Sequence, residues 1–114
     1  METDFDASIF TLVDRGFVYC IPHIRGGMEK GHQWYLQGKM RNKKNTFNDY
    51  IDSCEYLINN NYTSKGMITG NGGSAGGLLM GVVSNIRPDL FKCIIAEVAF
   101  VDLMNTITDD TLPL

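Results

Sequence analysis

Between residues 67 and 80 the chain reads Met67-Ile68-Thr69-Gly70-Asn71-Gly72-Gly73-Ser74-Ala75-Gly76-Gly77-Leu78-Leu79-Met80. This stretch restricts the fold more than any other. Gly72-Gly73-Ser74-Ala75-Gly76 matches G-x-S-x-G, with a short apolar run before it and a helix-like apolar pattern after it. That order is what a strand–turn–helix elbow requires. Such an elbow carries its serine at the tip of a sharp, strained turn, so that the hydroxyl stands clear of the backbone. Neighbouring glycines let strand and helix pack closely. The free N–H groups and positive potential of the helix N-terminus then face any developing oxyanion.

Two other readings of the same residues stay open. One is a glycine-rich loop that only joins a strand to a helix. The other is a phosphate-binding turn: Gly70-Asn71-Gly72-Gly73-Ser74-Ala75 also fits G-x-G-x-x-[GA], and Glu97 follows at about the distance of a ribose-binding acid. A Walker-type loop is excluded, because no Gly-Lys-[Ser/Thr] occurs.

With 114 residues the chain suffices for one domain with a real core, although it is short for an α/β enzyme of the hydrolase kind. Its 44% hydrophobic and 20% charged content are those of an ordinary soluble globular chain. A net charge of -3 gives no reason to expect nucleic acid or an anionic membrane as partner. Lys39, Arg41, Lys43 and Lys44 form the only basic cluster, read as a solvated face. Cys20, Cys54 and Cys93 are far apart and fall in apolar stretches. They read as reduced, buried, small hydrophobes, which suggests a cytoplasmic protein. No C-x-x-C pair argues for zinc, and no cofactor or metal is expected. The acidic first residues lack the design of a signal peptide, and no apolar run approaches a membrane span.

In chain order, Ile9, Phe10, Leu12 and Val13 predict a short helix capped by Gly16. Phe17-Val18-Tyr19-Cys20-Ile21 predicts a buried strand closed by Pro22. A loop with Gly26-Gly27, His23 and His32 follows. Both histidines read as structural or surface residues, and Trp34 and Tyr35 as packing anchors. Thr46 is placed as the cap of the next helix, with Asp49 in its first turn. Phe47, Tyr50, Ile51, Cys54, Leu57 and Ile58 give that helix its apolar face, and Asn59-Asn60-Asn61 ends it. Residues 67–70 form the strand that delivers Ser74. Leu78, Leu79, Val82, Val83 and Ile86 mark the helix after it, broken at Arg87-Pro88-Asp89. Cys93-Ile94-Ile95-Ala96 reads as a strand with parallel neighbours, and residues 97–102 leave the sheet. This alternation predicts a three-layer α/β fold with a mainly parallel sheet and its site at the strand C-termini.

Several separated motifs stand out in order: Asp14-Arg15-Gly16-Phe17-Val18, His23-Ile24-Arg25-Gly26-Gly27, Lys43-Lys44-Asn45-Thr46-Phe47-Asn48-Asp49, Gly72-Gly73-Ser74-Ala75-Gly76-Gly77, Arg87-Pro88-Asp89-Leu90-Phe91 and Phe100-Val101-Asp102. Together they resemble the prolyl oligopeptidase family of serine peptidases. The Ser-Ala-Gly-Gly form and Asn45-Thr46-Phe47-Asn48-Asp49 are most similar to the oligopeptidase B branch. The resemblance implies a partial α/β-hydrolase catalytic domain over residues 1–114, without the β-propeller. It implies Ser74 as nucleophile and the Ala75 N–H as an oxyanion donor. It also implies short-peptide substrates cut after Arg or Lys.

In this fold the chain order is Ser, then Asp, then His. Asp102, Asp109 and Asp110 come too soon after Ser74 to match the family's acid, and His23 and His32 precede it. Tyr19 does not match the family's oxyanion tyrosine. The resemblance therefore implies an internal piece of a peptidase domain, inactive by itself, with a complementary polypeptide as a candidate partner. The competing readings are a dinucleotide-binding domain using Gly70, Gly72, Ala75 and Glu97, and a non-catalytic remnant kept for assembly.

Overall fold

The computed structural model describes residues 6–102 together with residues 104, 105, 108, 110 and 111. The chain divides into two compact units, residues 1–65 and residues 66–114.

In the first unit, the Asp6 carboxylate accepts the Ser8 amide at 2.8 Å and opens a 3-10 turn, Ala7–Ile9, that runs into α1 (Phe10–Val13). Gly16, at φ 85°, stops it: its amide bonds the Val13 carbonyl and the Phe17 amide bonds the Leu12 carbonyl. This is the paired closure of a left-handed helix cap. The strand expected at residues 17–21 does not form. Phe17, Val18, Tyr19 and Ile21 stay exposed, and no described residue pairs with this segment in a ladder. Apolar, β-branched composition favours a strand only where a neighbour takes up its N–H and C=O groups.

A looped segment and the short α2 (His32–Leu36) lead to α3 (Lys43–Asn59). The helix begins three residues before Thr46, because a 3-10 turn at Met40–Asn42 feeds directly into Lys43. Thr46 is thus not its cap. It is buried in the first turn, and its hydroxyl donates between the carbonyls of Arg25 at 2.8 Å and Gly38 at 3.1 Å. Asp49 also departs from expectation. It lies one turn further on and binds Arg25. Ile51 and Cys54 are the buried apolar residues of α3. Asn61, at φ 60°, closes the helix, with its amide on Ile58 and the Tyr62 amide on Leu57. Asparagine thus repeats the closure that glycine makes after α1.

The second unit is a β–α–β arrangement. β1 (Ile68–Gly73), α4 (Ala75–Ile86) and β2 (Phe91–Glu97) follow one another, and β1 and β2 pair in parallel from Thr69 opposite Cys93 to Gly73 opposite Glu97. β1 is longer than its apolar residues suggest. Gly70, Asn71, Gly72 and Gly73 all hold places in the ladder. The helix ends at Arg87, since Pro88 has no N–H to continue it and opens a 3-10 turn instead. Arg87 Nε and Nη2 donate to the two Asp89 oxygens at 2.8 and 2.9 Å across that turn. Leu79, Met80 and Val83 of α4 form the core with Leu90, and Val83 is fully buried.

Cys54 is buried as expected, whereas Cys20 and Cys93 are exposed; all three are free thiols. Cys93 lies on a strand with one described neighbour, and Cys20 lies in the unpaired segment. Among the described residues no helix is long and apolar enough to cross a membrane.

Candidate active site

Ser74 stands alone between the last residue of β1 and the first residue of α4. Its backbone sits at φ 52°, ψ -114°, a strained combination for a residue with a Cβ. The strain arises because a strand and a helix of opposite direction meet across one residue. The result is an exposed side chain at the C-terminal edge of the sheet.

Both backbone groups of Ser74 are tied. Its amide donates to the Glu97 carbonyl at 2.9 Å. Its carbonyl accepts the amides of Gly77 at 3.0 Å, Leu78 at 3.2 Å and Phe100 at 3.2 Å. The first two bonds start α4; the third comes from the chain just past β2. The Ala75 N–H, at the first helical position, has no partner one turn back within the helix. It sits beside Ser74, on the positive end of the helix.

Two of the glycines are sterically required. A Cβ on Gly72 would strike the Gly76 carbonyl and lie 3.0 Å from Met80 Cγ. One on Gly77 would lie 2.6 Å from both Cα and Cβ of Ala99. Gly76 has open space where a Cβ would go, so the close approach expected of the glycine cluster rests on Gly72 and Gly77.

The dinucleotide reading loses its geometric basis. Gly70 and Gly72 lie inside β1, opposite Ile94 and Ala96, and neither has a positive φ. A phosphate-binding turn needs those glycines after the strand, where the backbone curls around the anion. Glu97 does end β2, but it faces Gly73 in the ladder, and its carbonyl is engaged by Ser74.

Of the other titratable residues singled out in the sequence, none hydrogen-bonds Ser74 among those described. His23 Nδ1 lies 3.9 Å from Glu29 Oε1, and His32 packs its ring on Tyr35 in the first unit. Asp102 accepts the Asn105 side-chain amide at 2.7 Å. Asp109 lies outside the described residues. Trp34, expected to anchor its loop by packing, is tied by a hydrogen bond, its Nε1–H donating to the His23 carbonyl at 3.1 Å. Among the described residues no group of three or more His, Cys, Asp or Glu side chains could hold a metal. Sequence reasoning missed the contribution of residues 97–100, whose role depends on backbone groups and leaves no side-chain pattern.

Residues 3–114 match the prolyl oligopeptidase family. The chain is 49% identical over its full length to dipeptidyl aminopeptidase BI of Pseudoxanthomonas mexicana, and 46% identical over 96% of its length to protease 2 of Moraxella lacunata. It spans 16% of the length of each of these relatives. Among solved structures, oligopeptidase B from Trypanosoma brucei with covalently bound antipain superposes with a TM-score of 0.90 at 46% identity, over 96% of this chain and 16% of that one. A prolyl endopeptidase structure superposes at 0.88 with 36% identity, over 92% of this chain and 16% of that one. The β1–α4–β2 unit and these likenesses establish the α/β-hydrolase fold expected from the sequence. On the match of residues 3–114 and on these identities, the chain belongs to the prolyl oligopeptidase family.

Proposed function

We propose that this chain is the nucleophile-bearing segment of a serine-type oligopeptidase that cleaves short peptides after Arg or Lys, and that Ser74 forms the acyl-enzyme. The observation that carries this reading is the Ser74 backbone, strained at φ 52° between β1 and α4 with its side chain exposed. The Ser74 Oγ attacks the scissile carbonyl carbon while a general base takes its proton. The carbonyl π electrons move to oxygen, and the Ala75 N–H donates to that oxyanion. Collapse breaks the C–N bond, the amine leaves with the proton from the base, and the Ser74 ester remains. Water then gives a proton to the base and attacks the ester carbon; collapse breaks the bond from the acyl carbon to Ser74 Oγ, which takes the proton back as the acid product leaves.

The base and its orienting acid come, in this reading, from sequence other than these 114 residues. The positions of His23 and His32 before Ser74, against the Ser–Asp–His order of the fold, support this. The isolated 114-residue chain is accordingly inactive, and a complementary polypeptide that supplies the missing groups is the partner that would restore it. The preference for Arg or Lys rests on likeness to the oligopeptidase B structures, at 46% and 52% identity.

Labelling of the full-length protein with a fluorophosphonate tests the reading. Peptide mapping should find the adduct on Ser74, and Ser74→Ala should abolish it and lower kcat on the order of 10⁶-fold. An adduct that persists in Ser74→Ala would overturn the assignment. Peptide amides ending in Arg, Lys or Pro separate the specificities: turnover confined to Pro would sink the basic preference alone. Serine-dependent cleavage by the isolated chain would refute its inactivity.

A further inference from the structure

Val98 lies just past β2 with φ 42°, where a β-branched side chain is a genuine outlier. The residue is 87% exposed, so packing of the isopropyl group does not offset the strain. What holds the turn is backbone on either side of it. The Glu97 carbonyl accepts the Ser74 amide, and the Phe100 amide donates to the Ser74 carbonyl. Val98 is thus the bend that lets one short segment grip both backbone groups of a single residue. Ala99 seats the same segment on α4, against Gly77, where there is no room for a Cβ.

We propose that residues 97–100 are a positioning clamp for Ser74, and that the left-handed turn at Val98 and the bare surface of Gly77 are the two features that close it. This rests on the reading of Ser74 as nucleophile. The clamp acts through the elbow and does not touch substrate in this role. A hydroxyl on a strained turn attacks efficiently only when the turn is held within a fraction of an ångström. Freed from Phe100, the Ser74 carbonyl would keep its two helical donors while the elbow gained freedom on its sheet side. Backbone conformation at residue 98, and not the character of its side chain, is then what the reaction depends on.

The test is a set of variants in the full-length protein, each followed by fluorophosphonate labelling rate, kcat, KM and Tm. Glycine and asparagine reach positive φ more readily than valine. Val98→Pro, whose ring fixes φ at about -65° and cannot make the turn, should therefore lower kcat and labelling rate about tenfold or more with KM within about twofold, and both rates should be higher in Val98→Gly and Val98→Asn than in Val98→Pro. Gly77→Ala pushes Ala99 off the helix and should lower both rates about tenfold or more while KM stays within about twofold. A purely structural role would instead lower Tm with the rates of the folded fraction unchanged. Loss of more than tenfold in Val98→Gly and Val98→Asn would show that the valine side chain is what matters, and would overturn the clamp. Wild-type rates in a folded Gly77→Ala variant would overturn it as well. If Gly77→Ala does not fold, Val98→Pro against Val98→Gly decides, and equal rates in these two overturn the clamp. Should wild-type protein not be labelled at Ser74 at all, the nucleophile assignment fails first and takes the clamp with it. Failure of the clamp alone leaves Ser74 labelled.

Discussion

Asp49 holds Arg25 at three points. One carboxylate oxygen accepts the Arg25 backbone amide at 2.9 Å and its Nε at 2.8 Å; the other accepts Nη2. The pair fastens the loop at residues 23–27 to α3, and the Thr46 hydroxyl on the Arg25 carbonyl secures the same residue from the other side. Charge-assisted, forked geometry of this kind is specific to arginine. The Arg25 side-chain bonds above all hold the Asp49 carboxyl below its ordinary value of 3.8, against the opposing effect of burial. A depressed carboxylate contributes stability that is present above about pH 4 and is lost as pH falls through its lowered folded value. Acid unfolding of the full-length protein should therefore begin at higher pH in Asp49→Asn than in wild type. Arg25→Lys should behave like Asp49→Asn, since an ammonium cannot span both oxygens. Identical acid transitions in all three proteins would refute this.

Tyr50 gives the opposite behaviour at alkaline pH. Burial, with smaller contributions from Cys54 and Cys20, pushes its phenol up to about 12 from 10.0. The unfolded chain releases this proton first, so the stability associated with Tyr50 falls as pH rises from 10 toward 12. Absorbance titration of the folded protein should show a tyrosine that ionises at about pH 12, and Tyr50→Phe should remove it.

The two glycines on either side of the elbow should respond in opposite directions. Gly72→Ala drives a Cβ into the Gly76 carbonyl, which cannot give without moving α4, and should cost about 1–3 kcal/mol. Gly76→Ala meets open space within a helix and should stabilise by up to about 1 kcal/mol. Denaturant midpoints of the two variants decide; equal shifts would mean that the close approach of β1 and α4 is unimportant.

Leu90 bears on the core of the second unit. It is 1% exposed, although it lies in a 3-10 turn and not on a regular element. Leu90→Ala should cost about 2–5 kcal/mol through the cavity it leaves. Ile86→Ala, at a residue 56% exposed, should cost less than about 1 kcal/mol for the loss of the same number of carbons. Chemical denaturation of the pair reads out the difference.

Helices α3 and α4 were legible because their apolar residues recur at helical spacing, and the elbow was legible because its small residues fall in one short string. What escaped the sequence depends on partners. β1 runs on through glycines because β2 supplies hydrogen bonds, and no side-chain pattern marks that. Residues 17–21 have the composition of a strand and lack a ladder among the described residues, so their apolar side chains, with Cys20, remain exposed. The start of α3 at Lys43 was hidden because its first residues, Lys43, Lys44 and Asn45, are polar. Thr46 then looked like a cap when its hydroxyl was serving a distant loop. Val98 has no sequence signature at all: nothing in a valine announces a left-handed turn.

Among the described residues, every backbone hydrogen bond of Ser74 joins it to a residue from Gly77 to Phe100, none to one earlier in the chain. The elbow is therefore a structure of low sequence separation, and closing it requires only short loops. During synthesis its anchors exist once Phe100 has left the ribosome. The turn that presents the Ser74 hydroxyl can thus assemble from one short stretch of chain, ahead of any contact with more distant sequence.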